Sequence, residues 1–285
     1  MAPSSRRRRT PRPSATATSA ASATTTEKEI VPVLAHPTSD KLVALGLAGM
    51  AKALDEQRAS STADSLSFEE RLGLLVDREA AERDARRLVT RLKFASLRQA
   101  ACVEDLDLRT PRGLDRAVVA HLADGAWIDR AENLLITGAT GLGKSWIACA
   151  IGHKACRDGR HVLYHRVPRL FEQLAIARGD GRYARMLKTL ARMDLLILDD
   201  WGLAPLASVE RRDLLEILED RHGRKATIVT SQLPVDAWHE VIGDPTLADA
   251  ILDRLVHNAH RLELAGESMR RRADRHAALD PERRA

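Results

Sequence analysis

Residues 133–145 read NLLITGATGLGKS. Leu134, Leu135 and Ile136 make a short apolar run fit for a buried strand. A helical pattern begins directly after Ser145, carried by Trp146, Ile147, Ala150 and Ile151. Between them lies G-x-x-x-x-G-K-S, spelled Gly138, Ala139, Thr140, Gly141, Leu142, Gly143, Lys144 and Ser145. Strand, loop and helix in that order is the context a phosphate-binding loop requires, and a chance glycine-rich turn would lack it. The glycines let successive backbone N–H groups curl around one anion, and the helix N-terminus adds partial positive charge. Lys144 is then expected to reach the β- and γ-phosphates of ATP, and the Ser145 hydroxyl to ligate Mg²⁺.

Working outward, residues 194–200 read DLLILDD, four apolar residues running into Asp199 and Asp200. A buried strand ending in carboxylates downstream of a phosphate loop is a Walker-B pattern. Asp199 is expected to hold the Mg²⁺ hydration shell, and Asp200 to orient or deprotonate the attacking water. Residues 161–165 (HVLYH), 226–230 (ATIVT) and 260–264 read as further strands. Helices are expected from Pro168 to Ile176, in a shorter stretch ending near Arg192, from a Ser208 cap to Arg221, and from Leu247 to Val256. Apolar strands alternating with helices predict a parallel sheet covered on both faces, with ligands at the strand C-terminal ends. The phosphate loop, Asp199/Asp200 and Ser231-Gln232 all fall there.

Upstream, Leu42, Leu45, Leu47, Met50 and Leu54 recur at helical spacing, and Ser67-x-x-Glu70 reads as a capping box opening a long helix. Thr110-Pro111 is expected to start a short helix through Leu122. Residues 78–98 carry seven basic residues (Arg78, Arg83, Arg86, Arg87, Arg91, Lys93, Arg98) against three acids. That excess suits either a solvated helix face or a face that contacts phosphates, with Arg83, Arg86, Arg87 and Arg91 as DNA-contact candidates.

Composition sets limits. The formal net charge of +5 is matched by Arg6, Arg7, Arg8, Arg9 and Arg12, so the rest of the 285 residues is balanced and net charge alone argues little for nucleic acid. No apolar run reaches the ~18 residues that cross a bilayer, which argues against a membrane protein. Cys102, Cys149 and Cys156 have no metal-ligand spacing and suit reduced thiols in a cytoplasmic chain. Residues 1–38, rich in Ser, Thr, Ala and Pro, read as a disordered basic tail. Residues 39–123 read as a helical module, 124–271 as the nucleotide-binding core and 272–285 as a basic C-terminal tail.

Several stretches together resemble one family: GATGLGKSWIACAIGHKAC, DLLILDDWGLAPL, TIVTSQLP, DAWHEVIGDPTLADAILDRLVH and GESMR, with LGLAGMAKALDEQ and LSFEERLGLLVDRE upstream. The chain is similar, over residues 39–271, to IstB-type transposition helper ATPases, AAA+ proteins related to DnaC-type helicase loaders and more distantly to DnaA. The resemblance implies an AAA+ core, a five-stranded parallel sheet between helices, preceded by a small all-helical N-terminal module. It implies an ATPase that uses ATP and Mg²⁺, binds duplex DNA as a homo-oligomer, and helps a cognate transposase select a target. Ser231 and Gln232 match the sensor-1 position, where relatives often carry Asn in place of Gln232. Asp200 stands where many such ATPases have Glu. Arg254 matches the arginine finger donated to a neighbouring subunit, against the plainer reading of a salt bridge with Asp253 or Glu263. Arg270 matches a sensor-2 arginine.

Three other readings share parts of this pattern. One is a loader of a replicative helicase. Another is a small-molecule kinase, whose acceptor lid would draw on Arg178, Arg182 and Arg185. The third is an adaptor in which ATP is only a structural ligand. Trp127 and Trp201 read as packed core aromatics before base-stacking platforms.

Overall fold

The computed structural model describes residues 36–269. Most of the basic N-terminal tail, Arg270 and the C-terminal tail lie outside the described residues. The chain opens with α1 (Pro37–Ala44), α2 (Ala48–Arg58) and α3 (Phe68–Ala95). The helical periodicity after Ser39 is divided at Gly46, whose φ of +75° a helix cannot hold. The capping box is present: Ser67 Oγ accepts from Glu70 N–H at 3.3 Å, and the Glu70 carboxylate accepts from Ser67 N–H at 2.8 Å. With α3 so started, 28 residues run without a break.

Next comes α4 (Arg116–Asp124), which begins later than Thr110-Pro111 suggested. Gly113 at φ +81° blocks a helix from Pro111, and Asp115 caps instead, accepting from Val118 N–H at 2.8 Å. Thr110 belongs to a turn in which its hydroxyl donates to Asp107 at 2.5 Å. The expected module boundary at 123/124 falls at the last residues of α4. The core continues as α5 (Ala126–Asp129), β1 (Asn133–Gly138), α6 (Lys144–Arg157), β2 (Val162–Arg166), α7 (Val167–Gly179) and α8 (Tyr183–Arg192). It closes with β3 (Leu195–Trp201), α9 (Ser208–Arg221), β4 (Ala226–Ser231), α10 (Trp238–Ile242), α11 (Pro245–Val256) and β5 (Ala259–Leu264). In α9 the capping position is Ala207, not Ser208; its N–H is held by the Glu210 carboxylate at 2.7 Å.

The strands form one five-stranded parallel sheet in the order β2-β3-β4-β1-β5. Side chains alternate across it with period two. Leu134, Ile136, Leu195, Ile197 and Ile228 pack with Ile147, Ile151 and Leu122 on one face, joined by Leu88 and Leu92 of α3. Leu135, Leu196, Leu198 and Val229 pack with Leu170, Leu174, Leu214 and Ile251 on the other. The inner strands β1, β3 and β4 are buried on both faces and mainly apolar along their middles, whereas the edge strand β5 carries His260, Arg261 and Glu263. Among the described residues, no helix is long and apolar enough to cross a membrane.

Candidate nucleotide site

The C-terminal ends of β1, β2, β3 and β4 meet around one cleft of about 700 Å³, lined among others by Thr140, Gly143, Lys144, Ser145, Asp200 and Gln232. Two glycines shape its floor. Gly141 has φ +90°, and a Cβ there would lie 2.2 Å from Ser268 Oγ; Gly143 has φ +91°, and its Cβ would meet Arg112 Nη1 at 2.7 Å. Glycine is required at both positions for conformation and for space. Lys144 turns back over the loop, its Nζ donating to the carbonyls of Gly138 (2.6 Å) and Ala139 (2.9 Å). Leu142 is buried, and its carbonyl accepts from Arg112 Nη1 at 2.5 Å. Arg112 is itself buried, with a second donation to the Asp107 carbonyl at 3.1 Å; burial lowers its pKa. Gln232 reaches the loop from β4, its Oε1 accepting from the Thr140 hydroxyl at 2.7 Å.

The Walker-B pair sits at an irregularity of β3, where the register to β4 shifts between Leu198 and Trp201. Asp200 takes φ +63° there, a left-handed conformation that Asp tolerates better than most residues. Its N–H donates to Thr230 Oγ1 at 3.2 Å, and its carboxylate accepts from Arg166 Nε at 2.7 Å. Asp199 is fully buried. Its Oδ1 accepts from the hydroxyls of Ser145 (2.7 Å) and Thr230 (2.5 Å), and its Oδ2 from Tyr164 (2.5 Å). Burial, then the bond to Asp199, pushes the Tyr164 phenol far above its ordinary value, so it stays protonated and stays a donor. A serine hydroxyl beside a buried carboxylate is a hard-oxygen donor set that fits Mg²⁺, which takes few protein ligands and completes its shell with phosphate and water.

The sequence motifs missed Tyr164, Thr230, Arg98, Arg112 and Arg166. Arg98 belongs to the basic run at 78–98 and Thr230 precedes Ser231-Gln232, but nothing local ties any of the five to the Walker motifs, and only the fold brings them there.

Other expected residues lie elsewhere. Ser231 is buried at the end of β4, donating to the Trp201 carbonyl and accepting from Leu233 N–H, both at 3.0 Å, and does not line the cleft. Arg254, on α11, pairs with Glu219 of α9 rather than with Asp253 or Glu263, and donates to the Ala250 carbonyl at 2.7 Å. Its backbone carbonyl accepts from Asn133 at 2.9 Å, at the opening of β1 and so at the opposite end of that strand from the phosphate loop.

The four candidate DNA-contact arginines are all engaged within the chain. Arg83 and Arg86 share Glu79 (2.7 and 3.5 Å), Arg87 pairs with Asp84 (3.4 Å), and Arg91 donates to the Cys156 carbonyl at 2.8 Å. Arg178 and Arg182 pair with Asp213 and Asp180, and neither they nor Arg185 are among the residues lining the cleft. Trp127 and Trp201 are fully buried core aromatics, Trp201 packing 5.4 Å from Trp238.

Comparisons with known proteins agree with this architecture. The model of the IstB-like ATP binding protein family matches residues 40–277. An insertion sequence ATP-binding protein of Sinorhizobium fredii, y4pL, is 63% identical over 84% of this chain and 98% of its own length. The ATP-binding protein of insertion sequence IS1162 from Pseudomonas fluorescens is 55% identical over 71% of this chain and 88% of its own length. Among solved structures, the DnaC helicase loader superposes with a TM-score of 0.51 at 18% identity, over 58% of this chain and 97% of that one. DnaA bound to AMPPCP and single-stranded DNA gives 0.52 at 14% identity, over 65% and 57%. Those two likenesses establish a shared AAA+ P-loop fold. With a phosphate loop, a Walker-B pair and a family match across most of its length, the chain belongs to the IstB-like ATP-binding proteins of insertion sequences.

Proposed function

We propose that the chain hydrolyses ATP as the partner of an insertion-sequence transposase, assembling as a homo-oligomer on duplex DNA in the cytoplasm and using hydrolysis as the switch in target selection. The observation that carries this reading is the Ser145–Asp199 hydrogen bond of 2.7 Å, which joins the phosphate loop to the Walker-B strand in one cleft. Residues 138–145 would cradle the phosphates, with Lys144 exchanging its two loop carbonyls for phosphate oxygens. Ser145 and Asp199 would hold Mg²⁺, which when bound neutralises phosphate charge. Asp200 would position the attacking water beside Gln232. Ser231 would act indirectly, fixing the strand end that presents Gln232.

In this reading residues 124–271 form the nucleotide core, and residues 39–123 supply multimer and DNA contacts. The side chains of Arg83, Arg86 and Arg87 are about half-exposed or more and are the proposed phosphate contacts. Arg91 serves to dock α3 on the core.

The test pairs two variants. Lys144→Ala should weaken ATP binding by about 100-fold, the loss of charge-assisted bonds to phosphate. Asp200→Asn should bind ATP normally and turn over at least about 100-fold more slowly, the usual worth of a general base. Wild-type turnover in Asp200→Asn would remove Asp200 from the mechanism, and ATP binding without turnover in the wild type would leave a nucleotide-bound adaptor.

A further inference from the structure

Residues 96–99 carry the chain from α3 into the core, and they are anchored tightly. Ala95 is fully buried, and Ser96 turns the chain with φ +51°. Leu97 packs onto α6 where Gly152 has no side chain; a Cβ there would stand 3.1 Å from Leu97 Cδ2. The backbone N–H groups of Arg98 and Gln99 meet the buried Cys149 thiol of the same helix. Arg98 thereby enters the nucleotide cleft alongside Lys144, Ser145 and Asp200.

Its guanidinium is placed unlike the other cations there. Nη1 lies 3.7 Å from Asp199 Oδ2 and 3.6 Å from Asp200 Oδ2, and the side chain is 41% exposed. Those separations exceed hydrogen-bond length, so the cation is attracted by both carboxylates and bonded to neither. Arg166, by contrast, is bonded to Asp200 at 2.7 Å. The Tyr164 hydroxyl, followed by the charges of Asp199 and Asp200, holds the Arg98 pKa above its ordinary value. A guanidinium has five N–H donors in a planar fork suited to phosphate, and this one retains donors that no carboxylate takes up. It stands at the Walker-B end of the cleft, where the last phosphate of a nucleoside triphosphate would lie. The end of α3 is only three residues away.

We propose that Arg98 binds the terminal phosphate of the nucleotide in cis, so that the helical module senses whether the third phosphate is present. The inference rests on the reading of the cleft as an ATP site. Arg98 is the module's own contribution to that site, and a phosphate drawing on its fork would pull the C-terminal turn of α3 tighter onto α6.

Titration of the full-length protein with ADP and with a non-hydrolysable ATP analogue, each with Mg²⁺, tests it. Arg98→Ala should lose about 10- to 100-fold in affinity for the analogue and keep its affinity for ADP. Arg98→Lys, which retains the charge but not the fork, should recover part of the loss. In the wild type the analogue, and not ADP, should slow amide hydrogen exchange at residues 90–97, and Arg98→Ala should erase that difference. An unchanged ATP-to-ADP preference in Arg98→Ala overturns the proposal. So does an equal loss for both nucleotides, which would make Arg98 merely structural. A wild-type protein that binds neither nucleotide would instead bring down the ATP reading of the cleft, and this inference with it.

Discussion

Asp199 gathers hydroxyls from Ser145, Thr230 and Tyr164 around one fully buried carboxylate. All three partners donate, so the site is built for an acceptor and for negative charge. In Asp199→Asn an amide N–H₂ would face these donors, and the Mg²⁺-dependent gain in ATP affinity should vanish while metal-free binding persists. Comparing titrations with and without EDTA checks this. Tyr164→Phe removes one donor and leaves a buried oxygen less satisfied, at a cost of about 1–3 kcal/mol in chemical denaturation. The carboxylate pair was legible in the sequence because apolar residues running into Asp-Asp form a local pattern. Its partners were not, since Tyr164 and Thr230 lie 35 and 31 residues from Asp199, and a lone hydroxyl on an apolar strand carries no local signal. Arg112 was illegible for the same reason: nothing in its surroundings marks an arginine that will support a loop 30 residues on.

Helix α3 shows which part of an element its own sequence declares. Its start was legible, because a capping box is closed within four residues. Its docking was not. Arg91 binds the C-terminal turn of α6 through the Cys156 carbonyl, and Leu97 fills the space over Gly152. The run of arginines therefore divides by rotation about the helix axis: one member is spent on the core, while Arg83, Arg86 and Arg87 remain at the surface. Packing of α6 against β3 and against the segment after α3 leaves little room for a methyl group at Gly152, where a Cβ would lie 2.8 Å from Ile197 Cδ1 and 3.1 Å from Leu97 Cδ2. Gly152→Ala should thus destabilise the protein by about 1–3 kcal/mol despite the better helix propensity of alanine, the usual penalty of overpacking. A midpoint unchanged or raised in urea would mean that the Ile197 and Leu97 side chains yield freely at this contact. The start of α4 misled the sequence reading because Thr110-Pro111 is a sound local signal. The left-handed Gly113 and the Asp115 cap override it.

At the scale of the whole molecule, polarity along the strands separates the phosphate loop from Arg254. The phosphate loop closes β1 at Gly138, whereas Arg254 is tied to Asn133 at its start, five residues back along the strand and about 17 Å away at the usual rise. Arg254 is thus held at the far end of the sheet from the chain's own cleft, and if it stabilises transferred phosphate it does so in a neighbour. Its pairing with Glu219 is half-exposed and of the kind that contributes little to stability, so Arg254→Ala should fold normally. An arginine supplied across a subunit boundary raises turnover by ~10³- to 10⁵-fold where it operates. Arg254→Ala should accordingly be almost inactive while binding ATP as well as the wild type. The distinguishing experiment mixes it with Asp200→Asn. If Arg254 acts across a subunit boundary, each homomeric assembly would lack one half of every site, whereas a mixed assembly would contain interfaces in which an intact Asp200 faces an intact Arg254. Turnover in the mixture should then exceed the sum of the two separate variants and peak near equal proportions. Dilution below the assembly concentration should abolish that gain. Strict additivity at every ratio would place Arg254 with its salt bridge alone, as a surface residue of α11 with no part in hydrolysis.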